Sequence, residues 1–480
     1  MTVSKISFGT DGWRGLLAKE VNLESIQRVA QAFSVFIKKN GTSSRVAVGF
    51  DGRRSSAKLA KTFSEVLSGN GIDVLLSDKV VPTPYVSFAT KKNSCDAGVM
   101  ITASHNPPNY NGIKFKTTTG SPFLTNQTKE VESLLDVHDI KTSNDRISVV
   151  EFATDYLNQL GRLIDFELIK ASGLKILVDS MSGAGGTLIE DILKPHGVEV
   201  TTIFGTPNED FSGRLAEPIL KNLAPLSEIL HAGDYSLGLA TDGDADRLGV
   251  MTNAGEFMNI QETIIFLANY IKNTRKIQGP VIKTASVTDK LIDSKIFGNT
   301  QVIDVQVGFK YVAEAMIENR AAFGAEESGG FGFKDHIPER DGIFAALLFI
   351  EMLAVSGFKK LDEFIDHKRK TFGVIFYDRI DFKCNDEKRF MSLDLLARNL
   401  PAKISAYQVL SSQSYQGCDG QINGLKIWLD GNPRWLLLRV SETEPMVRVY
   451  AEGQSNEEVS ALLKEGKALF EKLLQNEKVI

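Results

Sequence analysis

The stretch LKILVDSMSGAGGTLIEDILKPHGVEVTTIF runs from Leu174 to Phe204. It opens on a short apolar run (Leu174–Ser180), crosses a glycine-rich turn, continues as a helical segment and ends in a second run rich in β-branched residues. Short β-branched runs separated by a helical stretch mark a βαβ unit, and βαβ units build parallel sheets. A third run, YSLGLAT at Tyr235–Thr241, then empties into the polar loop DGDADR.

The same plan recurs on both sides. Upstream, RVAVGFD (Arg45–Asp51) leads into the helical SSAKLAKTFSEVLSGNG, the strand IDVLLSD, and DAGVMIT (Asp96–Thr102) before a Ser-His loop. Downstream, GPVIKTA (Gly279–Ala285) leads into the helical TDKLIDSKIFG, the strand TQVIDVQ, the helical KYVAEAMIEN and AAFGAEESGG. The repetition is of pattern rather than of residue identity. In open α/β sheets ligands sit beyond the carboxyl ends of strands, so three such loops can converge on one cleft. After DGIFAALLFIEMLA, which reads as a core helix, the pattern changes to GVIFYDRIDF, GLKIWLD, WLLLRV and MVRVYAE with two helices, a separate small α+β domain. The expected fold is therefore α/β: three similar mixed-sheet domains over 1–148, 149–254 and 255–368, and a smaller α+β domain over 369–480, around a central cleft.

Composition agrees. A chain of 480 residues is too long for one core, and 42% hydrophobic with 24% charged residues is ordinary for a globular protein. The net charge of −5 gives no reason to expect a nucleic-acid or membrane partner. The N-terminal MTVSKISFGTDGWRG lacks a long apolar run, so no secretory signal is expected, and a cytoplasmic location follows. Cys95, Cys384 and Cys418 are too few and too scattered for a disulfide framework or a thiolate metal site.

TDGDADR (Thr241–Arg247) is the sharpest local signal. Asp242, Asp244 and Asp246 crowd three carboxylates, which a hard divalent cation such as Mg²⁺ or Ca²⁺ relieves. The loop is not an EF-hand, because Arg247 stands where that loop needs glycine and Asn253 where it needs glutamate. Vacant positions on the ion suit a phosphate. In TASHNPPNYNGIK, Ser104 beside His105 reads three ways: a hydrolase nucleophile, a phosphoryl carrier, or a plain turn fixed by Pro107-Pro108. In GAEESGG, Glu326, Glu327 and Ser328 suit a polyol. In LRVSETEPMVRVY, Ser441 and Thr443 flanked by Arg439 and Arg448 suit a phosphate. GTDGWRG is a glycine-rich loop ending near Arg14, and Ser55 or Ser56 is a helix N-cap candidate. DSMSGAGG matches a nucleotide loop only in part, since Leu188 replaces the last glycine; it reads as a strand-to-helix turn.

FGTDGWRG, TASHNPPNYNGIK, DGDADR, GAEESGG and RVSETEPMVR together resemble, in order, the motifs of the α-D-phosphohexomutase family, and span nearly the whole chain. The resemblance implies that Ser104 is a phosphoserine and that Asp242, Asp244 and Asp246 hold Mg²⁺ together with its phosphate. It implies that Arg247 neutralises the phosphoryl group and that Arg14, His105 and Lys114 line the transfer site. Glu326 and Ser328 would grip sugar hydroxyls, with Arg340 and Lys310 near the substrate, while His336 is structural. Arg439, Ser441, Thr443 and Arg448 would hold the distal phosphate on a domain able to move. Two residues depart from the family pattern: Ala325 replaces glycine, and Glu442 stands inside the phosphate loop.

The implied activity is interconversion of glucose 1-phosphate and glucose 6-phosphate through glucose 1,6-bisphosphate, which is also the activator. The alternatives are a phosphomannomutase or dual-specificity enzyme, a phosphoglucosamine mutase, a Mg²⁺-dependent phosphatase or a non-catalytic sugar-phosphate binder. The expected partner is a hexose phosphate, with the chain a monomer or homodimer.

Overall fold

The computed structural model describes residues 6–9, 11–385, 388–417, 420–441 and 445–476. In the first domain Arg45–Phe50 lies between Asp73–Ser77 and Ala97–Ile101, parallel to both, and Tyr110–Lys116 pairs antiparallel with Ala97–Ile101. The second domain repeats this order with Glu199–Ile203, Lys175–Asp179, Leu237–Thr241 and antiparallel Leu248–Thr252. The third repeats it with Val302–Val305, Val281–Thr284, Phe323–Glu326 and antiparallel Gly330–Phe333. The shared plan read from the strand runs is thus a shared topology. In each copy the turn into the antiparallel strand is the chemistry-bearing loop: residues 102–109, 242–247 and 327–329.

The central strands are buried on both faces, which is why they read as continuous apolar runs. Val46 and Val48 pack with Phe33, Phe63 and the helices Leu23–Asn40 and Ser56–Gly69. Ala47 and Met100 face the opposite way, into a core shared by the first three domains. Through that core runs Gly342–Ser356, apolar all round and buried over Gly342–Ala354. Such a helix must be enclosed by protein. No single helix among the described residues is long and apolar enough to cross a membrane.

The fourth domain is an antiparallel sheet in which Phe376–Lys383, Met446–Gly453, Trp435–Val440, Ile422–Leu429 and Tyr407–Gln416 lie side by side. Helices Arg389–Arg398 and Asn456–Asn476 pack on one face.

Several boundaries differ from the sequence reading. Ile147–Val150 continues past residue 148 because it pairs with Asp73–Ser77 at the edge of the first sheet. Leu361–Phe372 runs through residue 368, since Phe364, Ile365 and Phe372 all pack into the large core. TDKLIDSKIFG forms only a 3₁₀ turn at Asp289–Ile292 and a single helical turn at Ser294–Phe297. Neither Ser55 nor Ser56 caps the following helix: Ser55 adopts φ 68° and makes no side-chain cap bond, and Ser56 Oγ donates to Asp51 Oδ1 at 2.7 Å. DSMSGAGG is a strand-to-helix turn, with Ala184 N donating to Gly243 O at 2.9 Å behind the aspartate loop.

Candidate active site

Ala97–Ile101 delivers Ser104 to the end of the first sheet, and Leu237–Thr241 delivers Asp242 to the end of the second. Ser104, in the left-handed region at φ 51°, donates from Oγ to Asp242 Oδ2 at 2.9 Å. His105 Nδ1 stands 3.5 Å from the same hydroxyl. Two loops 138 residues apart therefore share one contact. Close approach is possible because residue 243 is glycine: a Cβ there would lie 2.4 Å from Ser104 O.

Asp242, Asp244 and Asp246 are fully buried, and one ligand oxygen from each lies within 4.8 Å of the others. Asp242 Oδ1 accepts from the backbone N–H groups of Asp246 and Arg247 at 3.0 and 3.1 Å. Asp244 Oδ2 accepts from Lys114 Nζ at 2.8 Å and from Thr83 Oγ1, and Asp246 Oδ2 also accepts from Lys114 Nζ at 2.8 Å. Asp244 Oδ1 and Asp246 Oδ1 are buried with no hydrogen-bond partner. Burial and the two neighbouring carboxylates push Asp242 well above the usual carboxylate range. Burial acts on Asp244 in the same direction, but Lys114 overrides it and holds that carboxyl low. Buried, partnerless carboxylate oxygens on one loop suit a hard, oxygen-seeking cation, so the residues fit Mg²⁺.

Around the triad the three domains meet on one guanidinium. Arg340 reaches Asp11 from the first domain, Asp246 from the second at 2.8 Å and Glu326 from its own at 3.2 Å. Ser328 Oγ donates to the same Glu326 Oε1 at 2.5 Å. Asp11 also lies 3.1 Å from Lys114 and 3.7 Å from Arg14, and Arg14 donates to Asn106 Oδ1 at 2.8 Å. Arg247 pairs through its backbone with Gly330, closing the second loop on the third, and its Nε lies 3.9 Å from Asp246. Burial would lower Lys114, but Asp11, Asp244 and Asp246 hold it as an ammonium ion. Burial, then Arg247 and Arg14, press His105 well below its ordinary value, so it stays neutral.

Ser104, His105, Lys114, Arg14, Arg247, the aspartates, Glu326, Ser328 and Arg340 thus converge. Lys310 stands at the seam of the first and third domains, donating to Thr125 Oγ1. His336 is buried away from the loops, its Nε2 2.7 Å from Asp341 Oδ2, with Phe88 and Phe344 around it. Arg439 and Arg448 are cross-strand partners on one face of the fourth domain, Arg448 lying 3.5 Å from Asp381. Ser441 is buried beside them, while Glu442 and Thr443 lie outside the described residues. Two residues of this site, Asp11 and Thr83, are not among those expected from the sequence. Asp11 sits inside the quoted GTDGWRG loop, where a carboxylate between glycines was the available signal; Thr83 has no local signal.

Models of all four phosphoglucomutase/phosphomannomutase domains match: the three alpha/beta/alpha domains over residues 5–140, 154–255 and 259–372, and the C-terminal domain over 382–467. The chain belongs to the phosphoglucomutase/phosphomannomutase family. As a member of these α-D-phosphohexomutases it is an isomerase-type enzyme acting on phosphohexoses. It is 31% identical to a phosphoglucomutase/phosphomannomutase of Thermococcus kodakarensis, covering 98% of this chain and 99% of that one. It is 31% identical to a probable phosphoglucosamine mutase of Methanothermobacter thermautotrophicus, covering 94% of each. The crystal structure of a putative phosphomannomutase from Thermus thermophilus superposes with a TM-score of 0.84 at 31% identity, over 98% of this chain and all of that one. The phosphohexomutase family thus accounts for the four-domain architecture and for the order of the loops.

Proposed function

We propose that this phosphohexomutase interconverts glucose 1-phosphate and glucose 6-phosphate through a phosphoryl group carried on Ser104. The observation that carries the reading is the Ser104 Oγ–Asp242 Oδ2 contact of 2.9 Å, which sets a hydroxyl against three buried carboxylates. Three buried carboxylates beside the hydroxyl favour a phosphoryl carrier, since they can hold a cation against a phosphate, a service that acyl transfer to serine does not need. Mg²⁺ held by Asp242, Asp244, Asp246 and the Ser104 phosphate would offset the charge on the transferring group.

In the forward half, a sugar hydroxyl attacks the phosphorus, a new O–P bond forms and the bond to Ser104 Oγ breaks. The bisphosphate then turns over and returns its other phosphoryl group to Ser104 Oγ. In the return half His105, neutral and beside Oγ, takes the proton of the Ser104 hydroxyl as Oγ attacks, and in the forward half the resulting imidazolium gives that proton to the departing Oγ. Lys114, an ammonium ion while Ser104 is a free hydroxyl, gives a proton to the departing sugar oxygen in the return half, and in the forward half the resulting neutral amine takes the proton of the attacking sugar hydroxyl. Arg14 and Arg247 neutralise the phosphoryl oxygens. Glu326, oriented by Ser328 and Arg340, grips sugar hydroxyls with Lys310 nearby. Arg439, Ser441, Thr443 and Arg448 hold the distal phosphate, and glucose 1,6-bisphosphate charges Ser104 at the outset.

The similarity to a probable phosphoglucosamine mutase, equal in identity to that with the Thermococcus enzyme, favours an amino-sugar phosphate as a second reading. One assay tests both. The protein is incubated with Mg²⁺, a trace of glucose 1,6-bisphosphate and, in parallel, glucose, mannose or glucosamine 1-phosphate. Expected are 6-phosphate product from the glucose arm above all, no free phosphate, and one phosphate added to the protein mass. Net phosphate release, or full turnover by Ser104→Ala, overturns the carrier reading; faster turnover in the glucosamine arm replaces glucose.

A further inference from the structure

Arg53 lies in the turn after Arg45–Phe50 in the first domain, buried to 3% exposure, and touches none of the three aspartates. Its guanidinium donates to four backbone carbonyls, three in the serine loop and one at the start of the strand that follows it. Nη2 donates to Ser104 O and Asn106 O, each at 2.6 Å, and Nη1 to Pro107 O at 2.9 Å and Tyr110 O at 3.0 Å. Asp51 anchors the fork from behind, 3.3 Å from Nε. The same carboxylate accepts from Thr102 Oγ1 at 2.6 Å, and Thr102 Oγ1 accepts from Ser104 N at 2.9 Å. Both ends of the Ser104 segment are therefore fixed to one Asp-Arg pair. On its open face the guanidinium lies over the Phe211 ring of the second domain, 4.6 Å from its centroid.

Arginine is the side chain suited to this arrangement. A planar fork of five donors serves four carbonyls at once, whereas a lysine ammonium has three donors and no plane. A serine with φ 51° persists only where its surroundings over-determine it, and these hydrogen bonds do so. We propose that Arg53 is the positioning residue of the transfer site: it clamps the 104–110 carbonyls so that Ser104 Oγ meets the aspartate loop, and Phe211 ties that clamp to the second domain. The effect on rate rests on the carrier reading of Ser104; the ordering of the loop does not.

Arg53→Lys and Arg53→Ala are compared with the parent by hydrogen exchange of segment 102–111 and by mutase kinetics. The clamp predicts faster exchange confined to that segment. It also predicts kcat lower by about 10²-fold with KM little changed, as for a reacting group displaced by about an ångström. Added guanidinium restores part of the activity of Arg53→Ala and none of that of Arg53→Lys. Unchanged exchange in 102–111, exchange raised throughout the first domain, kcat within threefold of the parent, or a KM rise accounting for the whole loss overturns the proposal. A parent without mutase turnover overturns the carrier reading alone, and the exchange measurement still decides the clamp.

Discussion

Gly243 shows how narrow the tolerance at the site is. An alanine there would place its Cβ 2.4 Å from Ser104 O and against the Phe211 ring, so the serine loop and the aspartate loop must part. Gly243→Ala is expected to fold and to lose phosphorylation of Ser104 by about 10²-fold, followed as the rate of mass gain from glucose 1,6-bisphosphate. Chelation tests the same locus differently. With Asp244 Oδ1 and Asp246 Oδ1 buried and partnerless, EDTA is expected to abolish turnover and Mg²⁺ to restore it. An Asp246→Asn variant is expected to raise the Mg²⁺ concentration giving half-maximal rate by about 10-fold or more, since a charged ligand is lost. At this scale Ser104, the aspartates and Glu326 were legible because few residue types serve their chemistry and they cluster on short loops. Arg53 was not: an arginine whose partners are backbone carbonyls leaves no side-chain pattern to read.

At the scale of elements, Asp341 links three structures. Its Oδ1 caps the buried helix by accepting from Phe344 N at 2.9 Å, and its Oδ2 accepts from Tyr156 OH at 2.8 Å beside His336. Asp341→Ala removes the cap and strands a buried tyrosine hydroxyl. A loss of about 2–4 kcal/mol in urea unfolding is expected, with the metal requirement unchanged. The repeated strand–helix–strand plan was legible because buried parallel strands are short, β-branched and bounded by glycine. Its pairing order was not, since nothing local records which strand lies beside which. Tyr407–Gln416 carries no strand signal, because its sequence, YQVLSSQSYQ, is mostly polar and exposed along an outer position of the last sheet.

Across the whole molecule, the fourth domain docks on the third through buried charge. Lys426 lies 2.8 Å from Asp289, which also pairs with Lys283 at 2.9 Å and accepts from Trp428 Nε1 at 2.6 Å. Burial, then the Lys283 charge, holds Lys426 down to about 8, while Asp289 and Asp304 keep Lys283 protonated. The unfolded chain therefore binds an extra proton at Lys426 between pH about 8 and 10.5, so this group's contribution to stability rises with pH over that window. Lys426→Met is expected to flatten the rise in urea midpoint from pH 7.5 to 9.5. No pattern in GLKIWLD announces this contact, because its partners lie more than a hundred residues away. Arg340 carries a different consequence, for synthesis. It emerges on the order of a hundred residues after Asp242, about ten seconds later at the usual rate of translation, and later still after Asp11. Until then a nascent chain holds its acidic loops without the cation that joins all three domains. A ribosome stalled before residue 340 therefore carries three acidic loops that nothing yet draws onto one guanidinium.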